Sequence, residues 1–333
     1  MFDLPTIWAG LLAIAIFTYV ILDGFDLGIG ILFPFLESEE QRGASMNTVA
    51  PVWDGNETWL VLGGGGLFAA FPLAYAVIMP ALYTPITIML LALVFRGVAF
   101  EFRWRDKSHE KLWDRSFHFG SIFATFCQGI VLGAFVQGIE VEGRAYAGGW
   151  WDWLTPFTII CGFALTTGYA LLGATWLIMK TEGSLRERVY VLARYTSIGT
   201  LFFIGVVSIW TPFLSPEIAE RWFSTPQIIF VLPVPTLTIV LAAVMMWALI
   251  RKKDRIPFAA AIGLFGLCFA GLGIGITPYI VPRAITISEA AAPDVSLQFM
   301  LIGALILLPI ILAYTAYSYW IFRGKIDPDA GYH

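Results

Sequence analysis

Apolar residues run along this chain in blocks of about twenty or more, and short polar stretches between them hold most of the charge. A bilayer core about 30 Å thick is crossed by about 20 residues of helix, and lipid offers no water to satisfy an open strand edge. The pattern therefore predicts nine helical spans, near 7–35, 47–76, 78–102, 116–138, 155–179, 194–213, 226–250, 257–281 and 297–322. The second is the least regular, because Asn47, Asp54, Asn56 and Glu57 precede its purely apolar part from Leu60. No soluble domain, low-complexity linker or internal repeat interrupts the series, so residues 1–333 read as a single polytopic transmembrane domain, all-α in class. The first span lacks a basic leader and runs past twenty residues, and it is expected to stay in the membrane rather than be cleaved.

Composition agrees: 58% of residues are hydrophobic, 13% are charged and mean hydropathy is +0.78, against about 25% charged in a soluble domain. The net charge of −4 gives no basic patch and no case for a nucleic-acid partner. The basic residues instead set orientation, since Lys and Arg accumulate in cytoplasmic loops. With the amino terminus outside, Arg42, the clusters in 103–115, 180–194 and 251–255, and Arg323 with Lys325 put sixteen on the inner side. Only Arg144, Arg221 and Arg283 fall outside, and Arg96 lies within a span. The odd number of spans places the carboxyl terminus in the cytoplasm. Trp150, Trp151, Trp153, Trp104 and Trp113 sit where interfacial anchors belong. Cys127, Cys161 and Cys268 occupy separate apolar runs and read as packing residues.

An ionisable group inside a span costs about 2.5–3.5 kcal/mol on the insertion scale and needs a reason to be there. Asp23 and Asp26 stand three apart in Leu22-Asp23-Gly24-Phe25-Asp26, Asp54 and Glu57 repeat that spacing in Trp53-Asp54-Gly55-Asn56-Glu57, and Arg96 and Glu101 follow in the third span. In the predicted orientation all of them converge on the cytoplasmic half. Two readings stand side by side: a polar path that admits protons from the cytoplasm, with Arg96 setting the charge, or ion pairs that hold three helices in register at little net stability. Glu101 is also close enough to the interface to be an ordinary solvated residue. Gly24, Gly28, Gly30 and the run Gly63–Gly66 point to close helix packing or to a backbone opened for a quinone or haem edge. His109, His118 and His333 supply no paired haem ligands and no metal centre, so redox chemistry is expected to reside in another chain.

These strings, together with Asn47 to Trp59, Phe95 to Arg103 and Gly143 to Trp153, make the chain resemble subunit II of cytochrome bd-type ubiquinol oxidases, particularly the cyanide-insensitive branch. The likeness covers essentially the whole chain. It implies two four-helix bundles plus one peripheral helix, in a bacterial cytoplasmic (inner) membrane. It implies a haem-bearing subunit I as partner, with haems b and d held there and none bound directly by this chain, and ubiquinol and oxygen as substrates of the complex. Subunit II then has no catalytic residue of its own. It stabilises the complex and contributes a proton path, for which Asp23, Asp54 and Glu101 match the acidic positions, supported by Asp26, Glu57, Arg96, Asn56 and Trp53. Glu101 departs from the aspartate of the better-studied branch, which changes its reach. The resemblance also leaves room for a structural quinone, whose pocket no residue identifies, and for small single-helix accessory subunits. The competing reading is a proton-coupled secondary transporter, with Pro233, Pro235, Pro278 and Pro282 marking broken helices.

Overall fold

The computed structural model describes residues 3–225 and 228–326. The first residue of the predicted seventh span, Pro226, and the terminal His333 lie outside the described residues. Helix α1, Leu4–Leu32, starts where Asp3 accepts a hydrogen bond from the Thr6 amide at 3.0 Å and Pro5 occupies the first turn, a position where a missing N–H costs nothing. A short turn leads to α2, Glu39–Asn47, capped by Ser38. Then come α3, Trp53–Ala70, α4, Pro72–Ala81, α5, Tyr83–Arg105, and α6, Glu110–Gln137. A two-stranded hairpin, β1 Val141–Glu142 with β2 Ala145–Tyr146, precedes α7, Pro156–Lys180, which opens with a capping box at Thr155. Helix α8, Gly183–Trp210, is followed by the short α9, Pro216–Phe223, and α10, Ile228–Val231. Then α11, Pro233–Ile250, and α12, Ile256–Ile276, lead into the hairpin of β3, Tyr279–Val281, with β4, Ile285–Thr286. One turn of helix, α13, Ile287–Ala290, precedes α14, Asp294–Ile321.

Among the described residues, eight helical stretches, containing α1, α5, α6, α7, α8, α11, α12 and α14, are long and apolar enough to cross a membrane. Helix α3 is a ninth traverse, its hydropathy diluted by Asp54, Glu57 and five glycines. It runs antiparallel to α1 for its whole length: Asn56 bonds the Leu22 carbonyl, Gly63 faces Ile16 and Gly66 faces Leu12. The boundaries nevertheless correct the sequence reading. The second span is 53–70 rather than 47–76, and the third begins at Tyr83 rather than 78. Proline is the cause. A residue before proline is driven out of helical geometry, and Phe71, before Pro72, sits at φ −134°, ψ 64°. The segment between becomes α4. The eighth span likewise stops at Ile276 because the chain turns into the β3–β4 hairpin.

Helices α1, α3, α5 and α6 form one group and α7, α8, α11 and α12 a second, joined where α1 and α6 pack on α7. Helix α14 lies outside both against α1 and α3, with most of its side chains exposed and Leu297 buried. This is the expected pair of four-helix bundles with a peripheral helix. The α1–α7 crossing depends on glycine: a Cβ on Gly173 would stand 2.5 Å from the Gly28 carbonyl carbon, and one on Gly28 would run into the Tyr169 carbonyl. Next to it Phe25 stacks on Trp176 with centroids 4.2 Å apart.

The polar loops sort by end. At one end Arg103 reaches Glu39, Arg188 reaches Glu37, Gln41 meets Ser184, and Asp254 gathers Arg186, Tyr190 and Lys325. At the other, Arg283 caps the carbonyls of Val136 and Gln137, Thr155 bonds Gln137, and the Trp8 indole donates to the Leu297 carbonyl. The loops rich in Lys and Arg therefore share one end, with the start of α1 at the opposite one. The prolines offered as helix breaks stand at the ends of helices: Pro233 and Pro235 open α11, and Pro278 and Pro282 lie in the β3–β4 hairpin or its approach. A transporter's broken spans are not what they mark.

Candidate functional site: a buried guanidinium shared by three carboxyls

Asp23 stands nine residues before the end of α1, about 14 Å of helix from the basic end. There it meets Arg96 of α5. The guanidinium, with no exposure, lies 3.0 Å from Asp23 Oδ1, 3.8 Å from Asp26 Oδ2 and 3.5 Å from Glu57 Oε2. Asp23 and Asp26 are fully buried, and the Glu57 side chain is 30% exposed. Gly120 lets α6 close on the α5 backbone beside Arg96, where a Cβ would stand 2.7 Å from the Ala92 carbonyl and 3.0 Å from the Arg96 amide. Asn56 completes the group: its Nδ2 donates to Asp26 Oδ2 at 2.7 Å, and its Oδ1 accepts from the Tyr319 hydroxyl of α14 at 2.7 Å. Trp53 stacks flat on Phe100, centroids 4.7 Å apart, and fixes the start of α3 against α5.

Both oxygens of Asp23, Oδ1 of Asp26 and Nε and Nη2 of Arg96 lack a hydrogen-bond partner among the described residues. A buried polar atom left in that state costs about 1–3 kcal/mol. One cation against three carboxyls also leaves the group short of positive charge unless protons occupy it. The arrangement thus has the chemistry of a place where protons are held and passed, and it has the cohesion of an ion pair across α1, α3 and α5.

The sequence reading brought all these acids to the cytoplasmic half, and the structure gathers Asp23, Asp26 and Glu57 around Arg96 while setting the other two apart. Asp54 and Glu101 are exposed in this chain, Glu101 pairing with Arg105 at 3.4 Å. The reason is helical phase: Asn56, Trp59 and Gly63 turn α3 inward, whereas Asp54, Thr58 and Val61 face out. His118 is half-buried, with its Nδ1 2.9 Å from the Gly30 carbonyl.

Three polar features escaped sequence reasoning. Arg103, two turns beyond Arg96 on the same face of α5, is buried and paired with Asp114 at 2.6 Å, Glu110 at 2.9 Å and Glu39 at 3.4 Å. Aromatic rings separate the two cations: Arg96 lies over Phe100, Arg103 over Phe33, and both rings meet Phe117 edge-on at 5.1 and 5.0 Å. Tyr319 was unremarkable in an apolar run. So were Tyr19, Gln128 and Tyr169, three buried side chains joined by hydrogen bonds in the half of the bundle beyond Asp23. The one available signal was a glutamine in the middle of the fourth predicted span.

Comparison with known proteins agrees with this fold. The family model for cytochrome bd terminal oxidase subunit II matches residues 4–322. Cytochrome bd-I ubiquinol oxidase subunit 2 of Escherichia coli is 28% identical over 97% of this chain and 95% of its own length. Cytochrome bd ubiquinol oxidase subunit 2 of Bacillus subtilis is 29% identical over 98% of both. The solved bd oxidase of Geobacillus thermodenitrificans contains a chain that superposes with TM-score 0.75 at 17% identity, covering 96% of this chain and 98% of that one. With a membrane-spanning helical fold, three carboxyls gathered around the buried Arg96 and a family match running nearly end to end, the chain belongs to the cytochrome bd terminal oxidase subunit II family.

Proposed function

We propose that this chain, as subunit II of a ubiquinol-oxidising bd oxidase, braces the haem-bearing subunit I and carries protons from the cytoplasm toward the site where oxygen is reduced to water. The observation that carries this reading is the Arg96 cluster, three carboxyls on one guanidinium with several buried atoms lacking partners. Charge balance leaves room there for two protons. The basic end of the molecule is cytoplasmic, by the same rule that orients the loops. Asp54 and Glu101 then lie on the outward faces of α3 and α5 near that end, where a partner subunit covers them and turns exposed acids into the mouth of the path. Haems b and d belong to subunit I. Quinol oxidation releases protons outside and oxygen reduction takes them up inside, so a gradient forms without pumping.

The aromatic rings of Phe33, Phe100 and Phe117 favour this lateral route over one past Arg103, because they offer a proton no hydrogen-bonding atom. Asp54→Asn and Glu101→Gln are each expected to lower oxygen consumption per haem roughly ten-fold or more, with haem content unchanged. Full turnover in the double variant would remove both residues from the path.

A further inference from the structure

The buried hydroxyls of this chain follow one habit, with two exceptions. Among the described residues ten serine and threonine side chains are buried, and eight of them, Thr175 and Ser197 included, donate to a carbonyl three or four residues earlier. Ser121 and Thr125 of α6, both 0% exposed, do not, and their oxygens have no hydrogen-bond partner among the described residues. A helical hydroxyl can ordinarily turn back onto its own helix. Two that turn away, four residues apart on one face of α6, point into the space between helices.

What faces them is α1. A Cβ on Gly30 would stand 2.6 Å from the Ser121 Cβ, and Gln128 Nε2, one turn beyond Thr125, donates to the Tyr19 hydroxyl at 2.7 Å. Tyr19, Asp23 and Gly30 are spaced by four and seven residues and share one face of α1. Asp23 therefore lies between those two contacts on α1, as Thr125 does on α6. Neither Asp23 oxygen accepts a hydrogen bond of good geometry, and Arg96, its ion-pair partner, keeps Nε and Nη2 without partners. Gly120, next to Ser121, brings the Arg96 amide against the same stretch of α6. Both ends of the stretch are shut. At the cytoplasmic end His118 Nδ1 is 2.9 Å from the Gly30 carbonyl, and at the outer end Gln128 is bonded to Tyr19.

We propose that the Ser121 and Thr125 hydroxyls hold water against Asp23, in an enclosed site bounded by His118 and Gly30 at one end and by Tyr19 and Gln128 at the other. The chemistry of the unpartnered atoms selects the ligand. Two hydroxyls that donate or accept, a carboxyl that accepts when ionised and guanidinium N–H groups that donate are all served by one kind of molecule, and a buried water makes about three hydrogen bonds to groups of this sort. Asp23 and Asp26 disfavour an anion there, and Arg96 disfavours a metal cation. Bound water gives Asp23 a partner that can deliver or accept a proton while the guanidinium stays in place. Because both ends are shut, that proton goes back to the Arg96 cluster. This purpose rests on the proton-path reading, whereas the site itself rests on the side chains alone.

The test joins high-resolution electron cryomicroscopy of the assembled oxidase to quinol-driven oxygen consumption per haem. An ordered water within hydrogen-bonding distance of Asp23 and of the Ser121 or Thr125 hydroxyl is expected in the parent. It is expected to be gone from the double variant Ser121→Ala, Thr125→Val, with turnover lowered several-fold at full haem content. Thr175→Val, which removes a hydroxyl bonded to the Leu171 carbonyl, is expected to keep parental turnover. A parent map that resolves other buried waters but none here, or density that survives the double substitution, overturns the site. Water lost at parental turnover, while Asp23→Asn is slow, overturns its role toward Asp23. If the water is lost as expected and Asp23→Asn itself turns over fully, the site stands and the proton-path reading falls. Should the double variant fail to assemble, Ser121→Ala and Thr125→Val are read singly by the same two measurements.

Discussion

Arg96 is the residue on which the buried cluster depends, because removing it leaves Asp23 and Asp26 in a dry site with no counter-charge. Breaking a buried pair in this way costs about 3–5 kcal/mol, so Arg96→Leu is expected to cut the yield of intact complex severely, measured as haem recovered per unit of membrane. Asp26→Asn is milder, since Arg96 keeps Asp23 and Glu57 and Asn56 still finds an acceptor. A recovery of Arg96→Leu equal to that of Asp26→Asn would show that the guanidinium is not the organising charge. The cluster was legible in the sequence because charge in an apolar run is expensive and conspicuous. Which side of its helix an acid faces was not legible: Asp54 and Glu57 share one motif, yet only Glu57 turns toward Arg96. Neutral polar residues such as Tyr19, Gln128 and Tyr319 carry too little cost in lipid to stand out, and their partners lie far along the chain.

At the scale of elements, the molecule depends on close crossings. Gly28 and Gly173 let α1 and α7 touch backbone to backbone, and Gly64 and Gly65 of α3 have nothing within 4 Å. Gly173→Val is expected to force the helices apart, at a cost above the roughly 1–3 kcal/mol of ordinary overpacking, and Gly64→Ala to be neutral for this subunit. Thermal unfolding of the detergent-purified complex separates the two, and equal midpoints would refute the account of the crossing. Nine traverses could be read from apolar length, and both bundles followed from the family resemblance. The split of the 47–76 segment could not be, because residues 60–71 and 73–79 form one continuous apolar signal around Pro72. What breaks it is backbone geometry at a single proline.

For the whole molecule, the basic end is tied together by a latch. Lys180 of α7 donates to the Phe322 and Gly324 carbonyls, the Ile326 amide bonds the Lys180 carbonyl, and Lys325 bridges Glu182 and Asp254 at 3.3 Å each. Burial tends to raise the Asp254 carboxyl, but hydrogen bonds from Arg186, Tyr190 and Lys325 outweigh it and hold the group below its usual range. A carboxyl lowered on folding stabilises above its unfolded value, about 3.9, and loses that contribution as pH falls through the folded one. Asp254→Asn is therefore expected to cost about 1 kcal/mol at neutral pH, with the deficit closing below about pH 4. A deficit that persists at acid pH would assign the loss to packing.

The central claim is that protons reach oxygen reduction through the acids around Arg96, and Asp23 is the member whose replacement tests it most cleanly, because Arg96 then retains Asp26 and Glu57. The measurement is quinol-driven oxygen consumption by the Asp23→Asn complex, expressed per haem. The account expects full haem content with turnover reduced roughly ten-fold or more. Parental turnover at full haem content would contradict it and leave the cluster as a structural tie between helices.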